Sequence, residues 1–162
     1  MTPIRVGIVL GSDSDLPAVA DAEAVLQELG VGYERRILSA HRTPDAVAEY
    51  SRGARARGLV AIIAAAGGAA ALPGAIAAHT TLPVIGLPVA GPLLGIDALL
   101  AMVQMPGGVP VAAVGIGGGR NAGLMAAQIA ALTDAELAER LARARELQAA
   151  RVLEKDARLR LG

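Results

Sequence analysis

The chain contains no cysteine. That excludes disulfides, thiolate zinc sites and cysteine nucleophiles, and it fits a reducing cytosol. Phenylalanine and tryptophan are absent too, leaving Tyr33 and Tyr50 as the only aromatic residues. A ligand pocket therefore cannot stack a base between large rings, and must work with backbone amides, small side chains and a few polar groups. An excess of either charge is also lacking: Lys and Arg number 15, and Asp and Glu number 15. No overall basic field exists to hold nucleic acid or an anionic membrane. Glycine and charge interrupt every apolar run short of membrane-spanning length. The start, MTPIRVGIVLGSDSD, lacks the basic residues and cleavage site of a secretory signal. No H-E-x-x-H or acid–histidine cluster indicates a metal, and no G-x-S-x-G elbow indicates a serine hydrolase.

What remains is apolar and glycine-rich. The chain has 162 residues, 54% of them hydrophobic and 19% charged, which suits one domain with a real core. IRVGIVL (4–10), YERRIL (33–38), LVAIIAAA (59–66), LPVIGLPV (82–89) and VPVAAVGI (109–116) read as strands,. Between them lie helical stretches. The first is capped by Asp15, carries Pro17 early and ends at Gly30; the second runs from Thr43 and Pro44 through Arg57, closed by Gly58,. Further helices are expected at 96–104 and 120–132. Strands that are nearly continuous apolar runs, alternating with helices, imply a parallel sheet covered on both faces. Such α/β sandwiches bind ligands beyond the carboxyl ends of their strands. The polar and glycine-rich loops GSDSD, SAHRTP, AAGGAAALPG, PVAGPLLG and GIGGGRN sit at those ends.

The tail, 133–161, reads as one long helix capped by Thr133 or Asp134, with Leu137, Leu141, Ala144, Leu147 and Val152 on one stripe,. The division is a catalytic domain over 1–132 and a helical extension over 133–162. The stripe needs a surface to cover: a neighbouring subunit is the natural candidate, and its own domain is the alternative.

Each loop has a functional and a plain reading. Gly11, Ser12 and Ser14 ahead of a helix start make a phosphate cradle, with Asp13 and Asp15 as acceptors for ribose hydroxyls, or merely a capped turn. Arg42 can hold a phosphate or carboxylate through its planar fork, and His41, the one imidazole in these loops, is the natural proton carrier. His79 reads as a helix-terminal residue without polar company. Gly67 and Gly68 either turn amides toward developing negative charge or permit close packing. VQMP is a candidate wall against a small ring. GIGGGRN is a second anion loop or a turn capped by Asn121. A phospho-receiver domain would need an Asp after the third strand and a Lys after the fifth, and neither is present.

Taken in order, GSDSD, SAHRTP, GGAAALPG, LPVIGLPV, LLAMVQMPGGVPVA and NAGLMAAQI resemble the bacterial-type 5-(carboxyamino)imidazole ribonucleotide mutases of purine biosynthesis, over about residues 4–132. The resemblance implies a flavodoxin-like three-layer sandwich with a five-stranded parallel sheet and a long C-terminal helix. It implies a cytoplasmic homo-oligomer, an octamer, with sites where subunits meet, no metal and no cofactor. The implied reaction moves a carboxylate from the exocyclic nitrogen of an aminoimidazole nucleotide to ring carbon C4. His41 shuttles the proton, Ser12 and Asp15 hold the ribose-phosphate, Arg42 holds the phosphate, and Ser39, Gly67 and Gly68 line the ring and carboxylate. One stretch departs from the pattern. Where the family reads G-A-G-G-A-A-H-L-P-G-M, this chain has Ala65, Ala71 and Ala75 in place of glycine, histidine and methionine. The alternative is thus a catalytically impaired or substrate-shifted paralogue that still binds a small nucleotide.

Overall fold

A computed structural model describes residues 3–160. Strands β1 Ile4–Leu10, β2 Gly32–Ile37, β3 Ala61–Ala66, β4 Val84–Pro88 and β5 Ala112–Ala113 alternate with helices α1 Leu16–Glu28, α2 Pro44–Gly53, α3 Leu72–Ala77, α4 Ile96–Val103 and α5 Gly119–Ala131. A sixth helix, α6 Ala135–Arg160, follows. The strands pair in parallel in the order β2-β1-β3-β4-β5. This is the flavodoxin-like doubly wound order, as expected.

The continuous apolar runs are explained by the period of two along a strand. Val6, Ile8 and Leu10 of β1 and Ile63 of β3 face α1 and α5, meeting Val25, Leu26, Ala126 and Ala127. Val9 of β1 and Ile62 of β3 face the opposite layer, with Val47, Tyr50, Leu72, Ile76 and Met102. Each strand is thus apolar on both sides because both sides are covered. Helices α1 and α5 lie close together because small residues line the seam. A Cβ on Gly119 would fall 2.7 Å from the Ala18 carbonyl oxygen, and one on Gly123 2.8 Å from that of Ala22.

Several boundaries differ from expectation. The fifth strand shrinks to Ala112–Ala113, since Pro110 has no N–H to donate and, among the described residues, no strand lies outside this edge,. Helix α2 stops at Gly53 instead of Arg57; short turns close through Arg57 N–H to the Gly53 carbonyl (3.2 Å) and end at Gly58, whose φ is +90°. Asp15 makes no side-chain capping bond. A single 3-10 turn, Asp13–Asp15, precedes α1, and Ser12 caps that turn by accepting the Ser14 N–H. Asn121 lies inside α5 and caps nothing, the N-cap being Gly118.

The C-terminal helix packs on its own domain over its first turns and is exposed beyond them. Asp134 caps it, its Oδ1 accepting the Leu137 N–H at 3.0 Å. Arg5 bonds to Thr133 (2.9 Å) and Asp134 (3.2 Å), which ties the helix start to β1. Leu137 is buried, and Leu141 and Ala144 pack on the α1–α5 side of the protein's own core. Beyond them Leu147, Val152, Leu153 and Leu159 are uncovered, the last at 82% exposure. Residue 161 lies outside the described residues.

Candidate active site

In a parallel sheet all carboxyl ends share one edge, and the order β2-β1-β3 puts three of them side by side. The loops leaving these strands enclose a cleft of about 420 Å³ lined by Gly11, Ser12, Asp15, Ser39, Ala40, His41, Arg42, Ala66, Gly67, Ala70, Ala71 and Leu72. Six of the seven residues expected from the sequence therefore meet in one place. Gly68 is not in the lining. It adopts φ +59°, a turn conformation suited to glycine,. Gly67 does line the cleft, and its lack of a side chain lets the loop lie against β4, where a Cβ would come 3.3 Å from the Val89 carbonyl oxygen.

Arg42 is the most firmly held polar group. Its Nη2 donates to the Gly11 carbonyl at 2.9 Å, joining the β2 loop to the β1 loop. Its Nε and backbone N–H both donate to Ser39 Oγ, at 3.3 and 3.2 Å. Thr43, a residue that reads as a helix cap in the sequence, bonds back to Ser39 instead: Oγ1 accepts the Ser39 N–H at 2.9 Å and donates to its carbonyl at 3.1 Å. The only sequence signal for this is the Ser–Thr spacing of four.

Ser12 Oγ donates to Asp13 Oδ1 at 3.0 Å and accepts from Ser14 N–H at 3.3 Å. Asp15 sits in the cleft wall, where burial raises its carboxyl above the ordinary aspartate value. Hydrogen bonds from Ser12 and Ser14 and the charge of Arg42 pull the other way without cancelling that rise. The result is a carboxyl that takes up a proton more readily than a solvated one, beside a fixed cation. His41 is exposed in the wall, where a ligand can reach its imidazole.

The third loop carries backbone tension. Ala70 is buried yet has φ +42°, in the left-handed region that alanine disfavours,. Its N–H closes a turn onto the Gly67 carbonyl at 3.1 Å. Ala71 follows in the cleft wall as the N-cap of α3, contributing a methyl group and no side-chain donor.

Other candidates fall elsewhere. Met105 of VQMP packs over Gly74 of α3 and is not in the cleft lining. The GIGGGRN loop closes on itself, with Gly118 N–H to the Gly115 carbonyl at 2.9 Å. His79 has company after all, its Nδ1 lying 3.5 Å from Arg52 Nη2, because the end of α3 packs beside α2. A second hollow, of about 290 Å³, is lined by Thr80, Thr81, Pro83, Val109 and neighbours without a titratable side chain. Among the described residues no three His, Asp or Glu side chains group as a metal cage.

The family model described as AIR carboxylase matches residues 5–151. The chain belongs to the AIR carboxylase family. It is 52% identical over 156 residues to the N5-carboxyaminoimidazole ribonucleotide mutase of Thermotoga maritima, covering 96% of this chain and 91% of that one. To the enzyme of the same name from Bacillus subtilis it is 55% identical over 157 residues, covering 95% and 96%. Among solved structures, Treponema denticola PurE superposes with a TM-score of 0.86 at 30% identity, covering 95% of this chain and 97% of that one.

Proposed function

We propose that this chain is a 5-(carboxyamino)imidazole ribonucleotide mutase acting in de novo purine biosynthesis in the cytoplasm. The observation that carries the reading is the meeting of Ser12, Asp15, Ser39, His41, Arg42 and Gly67 in one cleft, in a chain 55% identical to a protein named for that reaction. The bond from the exocyclic nitrogen to the carboxylate carbon breaks and releases carbon dioxide, its electron pair staying on nitrogen, which takes a proton. Ring carbon C4 then attacks the carbon dioxide, and C4 gives up its proton. His41 is the proton carrier between C4 and nitrogen. Arg42 holds the phosphate, Ser12 and Asp15 the ribose-phosphate, and Ser39 with the Gly67 amide the ring and carboxylate. Apolar Ala40, Ala66, Ala70 and Leu72 in the lining limit water around the transient carbon dioxide,.

Turnover of the carboxyamino substrate without ATP tests the proposal. Wild type should convert it, and His41→Asn should lose about 10²–10⁴-fold in kcat. Wild type that binds the nucleotide without converting it removes the mutase reading. A variant equal to wild type removes His41 from the proton path.

A second reading is favoured by one observation: Ala71 lines the cleft where the resemblance places a histidine. That loss of a donor supports an impaired or substrate-shifted enzyme that retains nucleotide binding. The mutase reading stands ahead of it because the His41–Arg42 loop is complete and held.

We also propose that the working form is a homo-oligomer, an octamer. The support is apolar surface that one protomer leaves open. Ile96, Leu100 and Val103, at helical spacing on α4, are about half exposed, and Leu93 and Leu94 beside them more so.

A further inference from the structure

A threonine at a helix N-cap ordinarily accepts the N–H two or three residues onward. Thr43 occupies the N-cap of α2 and makes no such bond. Its hydroxyl is committed to Ser39, accepting that N–H at 2.9 Å and donating to that carbonyl at 3.1 Å. The Thr43 N–H also reaches the Ser39 carbonyl, at 2.9 Å. Ser39 is therefore gripped at both backbone groups, and its Oγ receives both the backbone N–H (3.2 Å) and the Nε (3.3 Å) of Arg42. With Nη2 donating to the Gly11 carbonyl, two of the five guanidinium N–H donors are used for holding and the rest are left for a ligand.

We propose that Thr43 is a positioning residue for Arg42: through Ser39 it fixes the guanidinium in the orientation that receives the anionic group of the substrate. The inference rests on the reading of Arg42 as the phosphate anchor. Arginine loses much rotamer freedom when it is ordered by a ligand, and an arginine ordered beforehand avoids that loss at the moment of binding. The α2 helix gives up a side-chain cap for this arrangement. Pro44 at its first position, which has no N–H to satisfy, reduces what that omission costs,.

Thr43→Val keeps the shape and removes both hydroxyl bonds, whereas Thr43→Ser keeps them. In the intact protein, Thr43→Val should weaken binding of inorganic phosphate in calorimetry about tenfold. KM for the nucleotide should rise by a similar factor with kcat within about twofold, and Thr43→Ser should restore both. In an Arg42→Gln background, Thr43→Val should add less than about twofold, since its effect passes through Arg42. Arg42→Gln with undiminished phosphate binding would sink the reading of Arg42 itself. Strong loss in Arg42→Gln, with Thr43→Val matching wild type or Thr43→Ser as weak as Thr43→Val, overturns the role of Thr43 alone. Thr43→Ala carries the same comparison should the valine variant not fold.

Discussion

Asp15 holds a carboxyl group in the part of the cleft that disfavours its charge, and this has a defined consequence for stability. Its folded-state value is raised above the ordinary 3.8, so in the window between the two the folded protein binds more protons than the unfolded one. Stability from this group is fully present below about pH 3.8 and is lost as pH rises through the raised folded value,. Asp15→Asn should abolish that decline: unfolding free energies of variant and wild type should diverge in the variant's favour across this window. Urea titrations at a series of pH values measure it, and parallel curves would show that Asp15 is not perturbed. A carboxyl that is costly to ionise fits a group whose partner arrives with the ligand. Ala71, also in the cleft lining, is the reverse case, a position where a polar group is missing and only a methyl is offered.

Helix α6 buries only the first part of its apolar stripe in its own domain. Its first turns belong to the domain: Leu137 is almost fully buried and Arg140 Nε donates to the Leu29 carbonyl at 3.0 Å. Leu137→Ala should therefore cost about 2–5 kcal/mol in urea unfolding. A cost under about 1 kcal/mol would mean that the helix does not pack on its own domain. Further along, the helix is supported by pairs one turn apart, such as Arg143–Glu139 and Arg160–Asp156. Exposed pairs of this kind each contribute only about 0.3–0.5 kcal/mol, too little to compensate for leaving Leu153 and Leu159 in water.

Among the described residues two groups of exposed apolar side chains stand out, the α4 face and the outer half of α6, with Ile4, Ile37, Ile116, Met125 and Leu132 exposed elsewhere. A run of Leu93, Leu94, Ile96, Leu100 and Val103 is more than a lone exposed leucine, and apolar residues grouped in this way support the proposed interface between copies. Leu100→Glu should split the assembly, lowering the mass seen by sedimentation while leaving the helix content of each protomer intact. An unchanged mass would show that α4 lies outside any interface between copies. Loss of assembly should lower activity as well if neighbouring copies complete the cleft, whose outer side is open in the single protomer.

Much of this was legible in the residues alone. Ile4–Leu10 and Ala61–Ala66 are strands because β-branched and small apolar residues dominate each run and a glycine, Gly11 or Gly67, follows it. His41 and Arg42 reach the site because a parallel sheet sends every strand's carboxyl end to the same edge. Other features depended on neighbours far away in sequence. The strand expected at 109–116 kept only Ala112–Ala113, because only β4 lies beside it. The Thr43 hydroxyl had two partners available, its own helix and Ser39, and the choice followed from the closure of the loop against Gly11. The stripe on α6 announced that something would cover it; where the protein's own core ends, after Ala144, was decided by packing. Periodicity and turn chemistry are local and are written in the chain, whereas which donor meets which acceptor, and which apolar face remains bare, are settled only when distant segments compete for the same space.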